Sequence, residues 1–174
     1  SGAFDIDANG RTQDLAIGIK ELDNLTTGQG TLALKAVRDE NGTRLPRLEV
    51  RSEGANLDAT AEITSEASSG DLTLTIADLG RIRDGLSGAA TLVASGSQSI
   101  EKAVQVRAEI TRGADTVVVT PSHPDISGEM PFDVALTAAI TQVADYASAF
   151  GQKLSGGLTL DATGNVAKDT STFD

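Results

Sequence analysis

A chain of 174 residues with 39% hydrophobic side chains is long enough to bury one sizeable core or two small ones, which excludes a disordered tail. Its formal net charge of −11 repels phosphate backbones and anionic membrane surfaces, so nucleic acid is not expected among its partners. With no cysteine there is no disulfide, thiolate nucleophile or thiolate metal site, and no apolar run approaches the ~18 residues of a membrane span.

Apolar residues recur at every second position, the period of a strand with one dry and one wet face. In chain order, Phe4, Ile6 and Ala8 alternate, then Leu15, Ile17 and Ile19, after which Leu22 and Leu25 support at most one or two helical turns. Alternation resumes at Leu32, Leu34 and Ala36, and Leu48, Val50 and Ile63 follow within Leu45–Ile63. Next come Leu72, Leu74 and Ile76, a second short helical piece at Leu79 and Ile82, and Leu92 with Ala94. Val104, Val106, Ala108 and Ile110 form another strand, then Val134 and Leu136. Ile140, Val143, Ala144, Ala147 and Phe150 recur at helical spacing and predict a helix stopped by Gly151. Leu158 and Leu160 close the series. Turn signals stand at Asn9-Gly10, Asn41-Gly42, Ser69-Gly70 and Gly156-Gly157. Ten or more strands are expected, with a lining of Leu, Ile, Val and Ala, since the chain has only four Phe, one Tyr and no Trp.

One phrase repeats. Gly2–Gly10 (GAFDIDANG) matches Gly156–Gly164 (GGLTLDATG), with further copies at Gly30–Ala36 and Gly88–Gly96. Asp14–Gly28, Asp71–Gly85 and, more loosely, Asp133–Gly151 share a second pattern, with starts 57 and 62 residues apart. A single β-rich segment with repeat-like units of about 14–70, 71–132 and 133–174 is therefore expected. The chain opens inside a strand-like alternation, so it is expected to be an excised piece of a longer repetitive protein.

No catalytic constellation assembles. His123 is the lone histidine, and its sequence neighbours Ser122 and Asp125 do not converge with it on a reacting carbonyl. It reads as a polar turn residue between two prolines. Asp5–Gly10 (DIDANG) fits the first half of a calcium loop, but Ala16 occupies the position of the required bidentate Glu, so the stretch reads as a hairpin turn. No enzyme, metal or cofactor is expected, and the scattered acids read as a solvated face.

The cadence of Asp71–Gly96 (DLTLTIADLGRIRDGLSGAATLVASG), preceded by Leu45–Ile63, resembles the repeat regions of the TamB family, large AsmA-like proteins of Gram-negative envelopes. The same cadence in Asp14–Ala36 and Gly156–Gly164 extends the resemblance over most of the chain, while Arg112–Met130 fits it poorly. The resemblance implies a mostly β fold: an elongated, curved amphipathic β-sheet folded into an open groove, the β-taco, with one or a few short helices. It further implies a periplasmic segment of an inner-membrane-anchored protein that moves phospholipid towards the outer membrane. Assembly of outer-membrane proteins with a TamA-like barrel partner is implied as well. The residues it would place along the lipid groove are Phe4, Ile6, Leu15, Ile17, Ile19, Leu32, Leu34, Leu48, Val50, Ile63, Leu72, Leu74, Ile76, Leu92, Val104, Val106, Ile110, Val134, Leu136, Leu158 and Leu160. An isolated piece of such a sheet is expected to associate edge to edge with another copy. The alternative is a repetitive adhesin or autotransporter passenger whose apolar stripe is a closed core.

Overall fold

Period-two alternation becomes one antiparallel sheet in which each strand pairs with the strands before and after it in sequence. The structure is a computed structural model and describes residues 2–16, 18–125, 132–147, 149, 151–166 and 171–173. Its eleven strands are β1 (Phe4–Gln13), β2 (Gln29–Asp39), β3 (Gly42–Ser52), β4 (Ala55–Ile63), β5 (Ser68–Ile76), β6 (Ala90–Gln98), β7 (Val104–Arg112), β8 (Asp115–His123), β9 (Phe132–Ile140), β10 (Leu158–Val166) and β11 (Ser171–Phe173). The order is β1 to β11 without a crossover, and the sheet is not closed into a barrel.

Three connections carry helical turns: α1 (Lys20–Asp23) between β1 and β2, a 3-10 turn (Leu79–Arg81) between β5 and β6, and α2 (Ala144–Ala147) between β9 and β10. They recur every fourth strand. Since β1, β5 and β9 run the same way in an antiparallel meander, all three connections leave from one end of the sheet.

There they interlock. Leu25 of the first connection packs on Ala55 and Ile76, with Leu74, Leu79 and Ile82 around it, so this loop reaches forward over β4 and β5 to meet the second. The Ser52 hydroxyl fixes it by donating to the Leu25 carbonyl over 2.8 Å. The third connection reaches back, its Ala149 carbonyl accepting from Arg83 Nε over 2.9 Å. The hydrophobic core lies under this rim, not between two sheets.

Two prolines mark irregularities in the ladder. Pro46 lies in a β-bulge of β3, where the register shifts between Leu45 and Leu48, so a strand without that N–H still pairs on both sides. The pairing of β7 with β8 lapses opposite Pro121, between Gln105 and Ala108, because proline has no N–H to give.

Several sequence expectations are corrected here. Leu15 and Ile19 belong to the first connection and not to a strand: Asp14 takes φ 49°, which ends the extended backbone. Ile17 lies outside the described residues, as does Phe150. Asn9-Gly10 is not a turn, since β1 stays in register with β2 through Gly10↔Leu32 as far as Gln13. Ser69-Gly70 is likewise inside β5, and the turn falls at Thr64–Ala67, closed by the Thr64 N–H donating to the Ala67 carbonyl. Gly70 is small because a Cβ there would sit 3.2 Å from the Thr60 carbonyl oxygen of β4. The third helical piece is shorter than predicted. Ile140 pairs with Leu158 as part of β9, α2 spans only Ala144–Ala147, and Gly151 with φ 69° turns the chain away, as expected of it. His123 is not a turn residue either; it ends β8, is buried, and stacks against Phe132 with ring centroids 4.8 Å apart.

The phrase shared by both ends also resolves. Gly2–Gly10 lies on β1 and Gly156–Gly164 leads into β10, and these strands run in opposite directions, so the first copy is not structurally equivalent to the last. The equivalent segments are Gly28–Leu32, Gly88–Leu92 and Gly156–Leu160, each Gly-x-x-Thr-Leu and each entering the strand after a helical connection.

Candidate functional site: an unbroken apolar face

Antiparallel partners point their side chains to the same side of a sheet, so the register assigns every strand residue to a face. From β1 to β10 one row reads Ala8, Leu34, Leu48, Ala59, Leu72, Ala94, Ala108, Val119, Leu136 and Ala162. The adjacent row reads Gly10, Leu32, Val50, Leu57, Leu74, Leu92, Ile110, Val117, Ala138 and Leu160. Neither row contains a side chain able to form a hydrogen bond. Flanking them on the same face stand Phe4, Ile6, Ile63, Ile76, Val104, Val106, Val134 and Leu158.

Every expected groove residue that lies in a strand thus falls on this one face, whereas Leu15 and Ile19 lie in the first connection. Sequence reading missed Leu57, Val117 and Val119. Leu57 alternates with Asn56 and Asp58 and was there to be found. Val117 and Val119 were hidden in a run of three valines, of which Val118 turns to the other face opposite Glu109.

Polar groups crowd that other face. Asp7 meets Arg47 at 3.6 Å, Arg51 meets Asp58 at 2.5 Å and Arg107 meets Glu109 at 2.7 Å, while Arg44 pairs with Asp39. Such exposed pairs contribute little individually, about 0–1 kcal/mol, but they keep this face wet. Asp5, Asp7 and Asn9 lie here on an extended strand and not in a loop, and among the described residues no group of three or more His, Asp or Glu is placed to hold a metal ion. Strand alternation also separates Ser122 from His123, putting the serine on the polar face and the histidine at the edge of the apolar one.

The apolar face is not sealed. Ile6 is 45% exposed, Ile110 47% and Leu160 37%, and among the described residues no large side chain is fully buried. The chain exposes 11078 Å², where a compact monomer of 17.8 kDa exposes about 8000 Å². At about 4.8 Å per strand the two rows run for about 43 Å across ten strands.

No protein-family model, curated protein or solved structure matches the chain.

One end of this face carries the interlocked rim and its polar anchors. Asp115 accepts the Tyr146 hydroxyl over 2.6 Å and the Thr141 N–H over 2.7 Å, and these bonds, Tyr146 first, hold its carboxyl below the ordinary value. Burial, then the bond to Asp115, pushes the Tyr146 phenol up. Arg112 lies over the Tyr146 ring at 4.9 Å, donates to the Ser87 carbonyl over 2.8 Å and approaches Asp145 at 3.7 Å, so a β7 side chain ties the second connection to the third. Among the described residues no helix is long and apolar enough to cross a membrane.

Proposed function

We propose that the chain is a non-enzymatic segment of a TamB-like lipid conduit, whose apolar face carries the acyl chains of phospholipid while headgroups stay at the opening. The observation behind this reading is the pair of apolar rows running unbroken across ten strands, most of their side chains partly exposed and Ile110 and Leu160 exposed. So large an exposed apolar surface on a soluble chain calls for an occupant. Hydrocarbon fits because the rows offer no donor or acceptor, whereas a protein or polar ligand needs such handles to fix its orientation. Each CH₂ withdrawn from water contributes about 0.8 kcal/mol and asks for no particular pose, which suits passage along the face better than capture.

In the intact protein this segment would work in the periplasm, anchored through the rest of the chain in the inner membrane. It would act with a TamA-like outer-membrane barrel in supplying lipid and assembling outer-membrane proteins, as the resemblance of Asp71–Gly96 suggests. In isolation β1, an edge strand exposed along nearly its whole length, is proposed to pair with a second copy. The passenger-like alternative needs its stripe sealed in a core, which the exposure of Ile6 and Ile110, nearly half in each case, does not favour.

The test is to purify the chain under non-denaturing conditions, extract it, and look for phospholipid by mass spectrometry, then to titrate the delipidated protein with a fluorescent fatty acid. Co-purified phospholipid or saturable binding supports the conduit; the absence of both overturns it.

A further inference from the structure

Cations are scarce in this chain, 14 Lys and Arg against 25 Asp and Glu. Three of them nevertheless meet at one place on the rim. Lys20 of α1 and Arg81 and Arg83 of the second connection line a depression of about 480 Å³, together with Asn24, Ile82 and Asp84, and Ala149 of the third connection lines it too. Of the described charged side chains lining it three are cations and one an anion, the reverse of the balance in the whole chain, with Asp78 beside it on the Gly80 N–H.

The cations are not on loose ends. Arg83 is fixed across the depression by its Nε–H bond to the Ala149 carbonyl. Arg81 closes the 3-10 turn, whose N-terminus is capped by the Asp78 carboxylate accepting the Gly80 N–H over 3.0 Å, so its backbone is held as well. Neither Lys20 nor Arg81 forms an ion pair among the described residues. Ile82, which shares the depression, also packs against the cluster of Leu25, Ala55 and Ile76, and that cluster touches Leu74 of the apolar rows. Only this packed cluster separates the depression from the apolar rows, so charge and hydrocarbon-like surface lie within a few side chains of each other.

We infer that Lys20, Arg81 and Arg83 form an anion site for a phosphate group, and that its ligand is the phosphate head of an amphiphile whose acyl chain lies on the apolar face. The inference rests on the lipid-conduit reading and adds to it a preference among lipids, for those with an accessible anionic phosphate over uncharged ones. Two or three cations beside a phosphate oxygen form charge-assisted hydrogen bonds, which free phosphate could also exploit.

The experiment titrates the delipidated chain with three probes, followed by amide resonances: a short-chain phosphatidic acid, the diacylglycerol of the same chain length, and inorganic phosphate. The wild-type chain is expected to bind phosphatidic acid at least about tenfold more tightly than the diacylglycerol. Phosphatidic acid should also shift the amides of Lys20 and of Gly80–Ile82. In the double variant Lys20→Gln, Arg81→Gln, checked for an unchanged fold by circular dichroism, the gap should close while diacylglycerol affinity stays the same. A gap that survives in the variant, or no gap in the wild type, overturns the site and leaves the conduit standing. If neither lipid binds, the conduit reading fails by itself. The inorganic phosphate arm then decides the site: shifts at Gly80–Ile82 that vanish in the double variant support it, and no shift overturns it.

Discussion

Gly28 donates its N–H to the Asp14 carboxylate over 2.8 Å and accepts the Asp14 N–H on its own carbonyl over 2.9 Å. The other two helical connections close in the same way. Gly88 donates to Asp78 over 3.0 Å and accepts from the Leu79 N–H over 2.9 Å, and Gly156 donates to Gln142 over 3.0 Å and accepts from the Val143 N–H over 2.8 Å. All three glycines hold positive φ, at 91°, 83° and 92°. One clasp, made by an acidic or amide side chain and a left-handed glycine, thus starts β2, β6 and β10 in turn.

Replacing Gly88 with Ala isolates the conformational part of that clasp, because an added Cβ would meet nothing closer than Arg112 Nε at 3.8 Å. The substitution is expected to lower the unfolding free energy by about 1–2 kcal/mol, the cost of a left-handed alanine. Urea titration should show a lower midpoint with an unchanged slope.

Asp115 and Tyr146 give the rim a pH dependence at both ends of the scale. The Asp115 carboxyl is held below its ordinary value, so its contribution is complete above the normal carboxylate range, about 3.9, and is lost as pH falls through the lowered value. Asp14, lowered by Gln13 and then by the Gly28 N–H, adds to the same acid limb. The Tyr146 phenol is raised, so its contribution is complete below about pH 10 and is lost as pH rises through the raised value. Tyr146→Phe should flatten the alkaline limb and weaken the acid one in melting temperatures measured across pH.

Ile110 and Val93 form a matched pair for testing the apolar face. They are exposed to 47% and 49% and sit on neighbouring strands, but Ile110 belongs to the apolar rows and Val93, opposite Glu109, to the polar face. Ile110→Asn should weaken binding of a fluorescent fatty acid roughly five- to a hundredfold, since an unpaired amide against hydrocarbon costs about 1–3 kcal/mol. Val93→Asn should leave it unchanged. Equal effects of the two substitutions would falsify a face-specific role.

Self-association through β1 should appear in sedimentation velocity as a concentration-dependent species in the purified chain. Ile6→Lys puts a charge on the edge strand, where Ile6 is 45% exposed, and is expected to shift the equilibrium towards monomer. An unchanged equilibrium would put the contact elsewhere.

Alternation made the strand faces legible in sequence because a two-residue period has one physical outcome once neighbours pair. Leu72, Leu74 and Ile76 could hardly face different ways, and they do not. What periodicity cannot see is where extended backbone stops. Leu15, Ile17 and Ile19 continue the pattern perfectly well, yet Asp14 has already turned out of the strand into its clasp with Gly28. Asn9-Gly10 failed in the opposite sense: the dipeptide suits a tight turn, but Gly10 is absorbed into a long pairing with β2. The positive patch at Lys20, Arg81 and Arg83 had no signal at all, since it is assembled from two loops more than fifty residues apart in sequence, with Ala149 of a third as its wall.

The reach of Leu25 two strands ahead and the hold of Arg83 on Ala149 give each period a grip on the next. A meander held only by its ladders could hinge between any two strands; this one resists such bending wherever a gripped loop spans the joint. Adding another four-strand period would lengthen the ribbon by about 19 Å without disturbing the contacts inside its neighbours. Each interlock thus depends only on the period next to it, so a ribbon built this way can grow by whole periods while every joint keeps the same clamp.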